Sequence, residues 1–392
     1  MGSPYYPLVR STWGAEERAA IHEVLDSGNL TMGQKTAEFE AEFSRWVGRK
    51  YTVMVNSGSS ANLIGVAALF HRERNKLRPG DEVIVPALSW ATTYYPLQQY
   101  GLKLRFVDIE LDTLNIDTSR LKENLTPRTR MIVGVNILGN PANLTTLRNF
   151  ANEHGLIFFE DNCESMGAEL DGKQAGTFGD IGTFSTFYSH HMSTIEGGLL
   201  TTDDEETYEL AKSLRAHGWQ RDSRQARELT SDFQTPYQFL VPGYNVRPQE
   251  INAAVGLVQL RKLPEMIQAR RANLEFFTSL FYGEDRFIIQ RENGKSSSYC
   301  FTIVLNPEGG FVRRGVLKAL SEAGIENRMI TGGCFLDHPV IDLFDYTTDR
   351  IHNAKVANDW GFFVGNHPYP LGERIARLYE VLSKALNKGQ SS

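Results

Sequence analysis

The 392-residue sequence is short of cysteine, of net positive charge and of long apolar runs, and each shortage excludes something. Its three cysteines, Cys163, Cys300 and Cys334, are an odd and scattered set. They cannot provide the four thiolates of an iron–sulfur cluster within one chain. No Cys, His and Glu cluster has zinc spacing, so no metal site is expected. Few, unpaired thiols suit a reducing cytoplasm, which is the expected compartment. A net charge of −6 speaks against nucleic acid as the main partner, because phosphate backbones call for basic surface. No apolar run reaches the roughly 20 residues of a membrane span, and the first residues turn polar too early for a secretory signal. The last shortage is local. No lysine occurs between Lys173 and Lys212, a stretch that contains "STFYSHHMSTIEGG" (185–198) with adjacent His190 and His191.

What is present is a β–α rhythm. "YTVMV" (51–55), "DEVIVP" (81–86), "KLRFVDI", "TRMIVGVNIL" and "GLIFFED" are short apolar runs of strand type. Helical patterns such as "LIGVAALF", "ATTYYPLQQYG" and "LTTLRNFANEHG" separate several of them. This alternation predicts an α/β fold with a large, mostly parallel sheet covered by helices on both faces. "IGTFSTF" and "GGLLTTDD" are expected to be neighbouring strands. A long helical stretch follows residue 250, with Pro264 interrupting it, and the tail suits a smaller α+β domain. The expected division is 1–258 for the large domain and 259–392 for the small one. The irregular segment 229–245 is long enough to be functional.

Several residues could carry chemistry. "NSGSSAN" joins a strand to a helix, and the backbone N–H groups at such a junction attract phosphate. Gly58 and Ser59 are its centre, although a plain capping serine would look the same. Asp161 ends a buried strand, where α/β folds place ligands. It could hold a heterocyclic nitrogen protonated, or merely cap a turn. Trp90 also follows a strand and could stack on a planar ring, or cover the sheet edge. One histidine of the 190–191 pair would make a natural general base beside such a ring.

The order of these features resembles the sugar aminotransferase branch of the fold type I, aspartate-aminotransferase-like PLP enzymes. "GNLTMG", "VPALSWATTYYPLQQYGL", "EDNCESMGA", "GTFSTFYSHHMSTIEGG", "FLVPGYNVRP", "AGIENR" and "FFVGNH" carry the resemblance along nearly the whole chain. Within the branch the chain is similar to the dehydratases, which have histidine where the aminotransferases have the lysine that tethers the cofactor.

The resemblance implies a set of roles. His191, counted as the fifth position of the "F-Y-x-x-K" pattern from Phe187, would be the catalytic base, with His190 a neighbour. Asp161 would pair with the pyridine nitrogen and Trp90 would stack on the ring. Gly58, Ser59 and the Thr186 hydroxyl would hold the phosphate, and Glu164 would be a second acid of the cofactor site. Asn245 would reach the cofactor phosphate of a partner subunit, which implies a homodimer with shared sites. Arg221 and Glu326 would face a nucleotide sugar. The implied activity is loss of the C3 hydroxyl from a nucleotide-linked 4-keto sugar, GDP-linked rather than CDP-linked. It would use untethered pyridoxal and pyridoxamine phosphate (PLP and PMP), with glutamate as amino donor. No iron–sulfur reductase partner is expected. The competing readings are a 3-dehydratase of another nucleotide 4-keto sugar, CDP- or dTDP-linked, an aminotransferase, and a cofactor-binding homologue without activity.

Overall fold

The computed structural model describes residues 4–220 and 238–389. Two helices, α1 (Ala15–Ser27) and α2 (Gln34–Val47), precede β1 (Tyr51–Val55). Then come α3 (Gly58–His71), β2 (Glu82–Pro86), α4 (Ala91–Gln99), β3 (Lys103–Val107), β4 (Thr129–Val135), α5 (Leu144–His154) and β5 (Ile157–Asp161). A small hairpin, β6 (Glu169–Leu170) and β7 (Lys173–Gln174), leads to β8 (Ile181–Ser185), β9 (Gly198–Thr202) and α6 (Glu205–Arg215). Beyond residue 237 lie α7 (Glu250–Phe281), β10 (Phe287–Ile289), β11 (Cys300–Leu305), α8 (Arg313–Glu322), β12 (Tyr346–Thr348), α9 (Asn353–Trp360), β13 (Gly361–Gly365) and α10 (Gly372–Gly389).

Among the described residues, eight strands form one sheet in the order β1-β9-β8-β5-β4-β2-β3-β12. The pairs from β8 to β12 are parallel, and β9 runs antiparallel to both of its neighbours. Strands such as β2 and β5 are buried at every position, which is why they read as unbroken apolar runs rather than alternating ones. The joints are set locally. The Ser57 hydroxyl accepts from Ser60 N at 3.1 Å and starts α3, and Gly101, at φ 75°, follows α4 in a conformation that costs glycine little.

The smaller sheet, β10-β11-β13, packs on α7 and α10. Phe277 stacks on Phe281 and Phe301, with ring centroids 4.2 and 4.5 Å apart. Tyr6 reaches into this core from the chain's beginning and donates its hydroxyl to Gly365 O at 2.6 Å. The division expected at residue 258 falls inside α7, which continues through Pro264 without a break. The later part is also not wholly separate, because β12 extends the large sheet beside β3. Burial of one face around Pro264, through Leu260, Leu263, Met266 and Ile267, holds the helix together across the missing N–H of Pro264.

Candidate active site

The carboxyl ends of β1, β2, β4, β5 and β8 open on one cavity of about 640 Å³. Parallel topology brings them there, as α/β sheets do with their ligand sites. Of the residues singled out from sequence, Gly58, Ser59, Trp90, Asp161 and Glu164 all line it.

The first corner is the turn before α3. Gly58 has no room for a side chain, since a Cβ there would lie 2.8 Å from Ser185 Cβ and 2.9 Å from Cys163 Sγ. The backbone and the helix N–H groups can therefore come close to an anion. Ser59 donates its hydroxyl to Thr92 at 2.9 Å, linking the turn to α4. At the head of α4, Trp90 leaves 56% of its surface exposed while lining the cavity, so an indole face is open to a planar ligand.

Asp161, at the end of β5, is 4% exposed. One carboxylate oxygen accepts from Asn62 Nδ2 and from the Thr93 hydroxyl, each at 2.8 Å, and the other accepts from Cys163 N at 3.1 Å. Thr183 donates to Asn62 Oδ1 at 2.6 Å, which fixes the amide so that its N–H₂ faces Asp161. Glu164 accepts from Leu138 N at 3.1 Å. Burial, aided by the charge of Asp161, pushes its carboxyl up to about 8.

The strand-and-loop from β8 departs from expectation by one residue in two places. Ser185, the last residue of β8, lines the cavity. Thr186 is fully buried and meets the Thr194 hydroxyl at 2.5 Å instead. His190 lines the cavity, half-buried, with its ring 5.3 Å from that of Tyr299. Burial, then the charge of Arg270, lowers its pKa to about 4, so its ring is neutral at pH 7. His191 is fully buried, off the cavity wall, with Nε2 3.3 Å from Ser297 O. The expectations for Thr186 and His191 are therefore corrected to Ser185 and His190 as the residues that face the cavity.

Glu326 does not line the cavity either. It is exposed and accepts from Leu8 N at 2.8 Å, tying down the chain's beginning. Arg328, two residues on, lines the cavity in its place. Asn245 is exposed and away from the cavity, bridged through its backbone to Ala216. Arg221 lies outside the described residues. Sequence reasoning also passed over Ser189 and Tyr299, which share the cavity wall with His190. For Ser185 a signal existed: it pairs with Gly198, so counting back from the "EGG" end of the loop points to it.

The ensemble suits a planar heterocycle bearing a phosphate. It has a glycine cradle with hydroxyls for the anion, an open indole face, and a buried acid held by three donors. A neutral imidazole lines the same cavity, and among the described residues no lysine does.

Known proteins resemble the chain along nearly its whole length. Residues 11–381 match the DegT/DnrJ/EryC1/StrS aminotransferase family. The chain is 46% identical over 386 residues to GDP-4-keto-6-deoxy-D-mannose 3-dehydratase of Yersinia pseudotuberculosis, covering 97% of this chain and 98% of that protein. The structure of the E. coli GDP-4-keto-6-deoxy-D-mannose-3-dehydratase with bound hydrated PLP is 47% identical, with a TM-score of 0.94 over 97% of this chain and 100% of that one. A structure of GDP-4-keto-6-deoxymannose-3-dehydratase with a trapped PLP-glutamate geminal diamine is also 47% identical. It gives a TM-score of 0.94 over 96% of this chain and 100% of that one. The chain belongs to the DegT/DnrJ/EryC1/StrS aminotransferase family.

Proposed function

We propose that this chain is a PLP- and PMP-dependent 3-dehydratase. Its substrate is GDP-4-keto-6-deoxy-D-mannose, and its product is GDP-4-keto-3,6-dideoxy-D-mannose with release of ammonia. The observation that carries the reading is a cavity lined by Gly58, Trp90 and Asp161 with a histidine and, among the described residues, no lysine on its wall. A lysine would tether the cofactor and return it to the aldehyde. Histidine can move protons but cannot form that bond.

Each residue has a task. The turn at Gly58 and Ser59, with the Ser185 hydroxyl, binds the phosphate. Asp161 pairs with the ring nitrogen and Trp90 covers the ring face. When bound, the pyridoxamine form supplies an amine for the sugar's C4 ketone and an electron-accepting ring that lets the C3 hydroxyl depart. His190 takes and returns the proton at its cavity-facing nitrogen. Glu164, protonated at neutral pH, offers a hydrogen bond to an oxygen of the ring. Glutamate restores the amine form after each turnover, so no reductase partner is required.

A homodimer completes the site. Phe187, Tyr188 and Ile195 flank the histidine loop and are each at least 42% exposed in the single chain. Covering them with a second copy would bury that apolar surface and bring the exposed Asn245 toward the neighbouring phosphate turn.

The test is incubation with PLP, ¹⁵N-glutamate and GDP-4-keto-6-deoxymannose, with no reductase present. The expected products are ¹⁵N-ammonia, 2-oxoglutarate and a GDP-sugar lacking one oxygen. Nitrogen retained in the sugar would make the chain an aminotransferase. No change in the sugar would favour the inactive homologue.

A further inference from the structure

His190 stands on the large domain, yet its neighbours come from the lead-in to the small domain's central strand. Tyr299 Oη lies 2.9 Å from Ser189 Oγ, and Ser189 Oγ lies 3.4 Å from His190 Nδ1. Two residues earlier, Ser297 O meets His191 Nε2 at 3.3 Å. One three-residue segment, 297–299, thus grips both histidines.

The segment itself is held on several sides. Ser297 N donates to Gly139 O at 2.9 Å and Tyr299 N to Leu138 O at 3.1 Å. The buried Arg270 donates to Tyr299 O at 3.1 Å. The Asn366 amide donates to Ser298 O at 3.1 Å and to the Ser298 hydroxyl at 2.9 Å. Ser298 sits at φ 45°, a conformation that a non-glycine residue keeps only when its surroundings enforce it. Gly139 makes the approach possible, because a Cβ there would lie 2.5 Å from Ser298 N. Such over-determined backbone is what a precisely aimed side chain needs.

We propose that Tyr299 is a positioning residue for His190, acting through Ser189. His190 Nδ1–H donates to Ser189 Oγ, Ser189 O–H donates to Tyr299 Oη, and the Tyr299 O–H points to the cavity. That order keeps the proton on Nδ1 and leaves Nε2 as the free base. The ring is fixed in one tautomer and one orientation by groups that do not themselves react, which is the usual way an imidazole's two nitrogens are given different tasks. The inference rests on His190 being the base. It adds that the small domain, through Tyr299, decides which nitrogen does the work.

The test uses the full chain with PLP and glutamate, and the variants Tyr299→Phe, Ser189→Ala and Ser189→Thr. Tyr299→Phe keeps the ring, so thermal melting should hardly change. Losing one neutral hydrogen bond should lower kcat by roughly 5- to 10-fold with KM nearly constant. Ser189→Ala should match it, and Ser189→Thr should recover most of the loss. A readout independent of turnover is the long-range ¹H–¹⁵N spectrum of histidine-labelled protein, with His190 assigned by its disappearance in His190→Asn. Wild type should show the Nδ1–H tautomer and Tyr299→Phe a mixture. An unchanged tautomer and kcat in Tyr299→Phe would overturn the inference, as would loss confined to melting temperature. If His190→Asn itself dehydrates the sugar normally, the assignment of the base fails instead.

Discussion

The two walls of the cavity are built differently and carry opposite chemistry. One wall is made of parallel strand ends and helix starts: the Gly58 turn, Trp90, Asp161 and Glu164. The other is a compact loop, 185–196, braced by the segment 297–299. On the first, burial raises a carboxyl, that of Glu164, to about 8. On the second, burial lowers an imidazole, that of His190, to about 4. Both groups are thereby neutral near pH 7, one able to give a hydrogen bond and the other able to take a proton. The same desolvation, applied to groups of opposite charge type, prepares an acid and a base at one pH.

The sharpest way to break this comparison is within the base wall. His190→Asn should reduce dehydration by roughly 10²- to 10⁴-fold, the range for removing a general base. His191→Asn, which alters a ring buried against Ser297 O, should cost less than about 10-fold and act mainly through stability. Steady-state rates and melting curves of the two variants decide it. Reversed effects would move the base to His191 and require the loop to rearrange on ligand binding.

The acid wall is tested next by Asp161→Ala. It removes the proposed partner of the ring nitrogen and strands the Asn62 amide and the Thr93 hydroxyl, which both donate to it. Loss of a charge-assisted hydrogen bond is worth about 1.5–3 kcal/mol, so PLP affinity should fall by roughly 10- to 150-fold. Equilibrium dialysis against PLP measures it. Unaltered affinity would mean that the ring lies elsewhere in the cavity.

The same contrast explains what was legible in the sequence. Gly58, Trp90, Asp161 and Glu164 each follow a strand that reads plainly as apolar, and parallel topology carries every such end to one edge of the sheet. Their positions follow once the strands are found. Thr186 and His191 are each one residue from the side chains that face the cavity. Successive residues of a strand face opposite sides, so a slip of one exchanges cavity for core. After β8 the register depends on pairings across the loop. Thr186 N donates to Gly197 O, Tyr188 N to Ile195 O and Thr194 N to Thr186 O, and none of these is visible as a local pattern. Glu326 was named, and Arg328 was not, for a related reason. Arg328 is aimed by backbone pairing with Phe363 in both directions, a contact that joins residues far apart in the chain. The continuity of α7 past residue 258 was equally hidden, because Pro264 interrupts the helical pattern and suggests a boundary that burial overrides.

Between the walls, pH offers a finer test. With His190 at about 4 and Glu164 at about 8, kcat/KM should rise through an acid limb well below the ordinary histidine value near 6.5 and fall through an alkaline limb near 8. Glu164→Gln keeps a hydrogen-bond donor that cannot ionise, so its profile should lose the alkaline limb while the rate at pH 7 changes by only a few-fold. A limb that stays near 8 in this variant would assign it to another group.

The smallest expected effect concerns stability. His190, His191 and His367 all have pKa values lowered by burial, and Arg270 adds its charge to each. An unfolded histidine binds its proton near 6.5, whereas the folded protein resists doing so until about pH 4 at His190 and His367. Over that interval the unfolded chain carries more protons, so lowering pH favours it. The stability these neutral rings allow is complete above about pH 6.5 and drains away as pH falls toward 4. For a chain of this length about 1 kcal/mol moves Tm by roughly 2 °C, so the decline should be a few degrees, measurable by calorimetry at successive pH values. His191→Asn removes one of the three groups and should flatten the slope while lowering Tm at pH 7. An undiminished slope in that variant would mean that His191 already admits a proton in the folded state, and that the two adjacent histidines differ in how deeply they are shielded as well as in what they face.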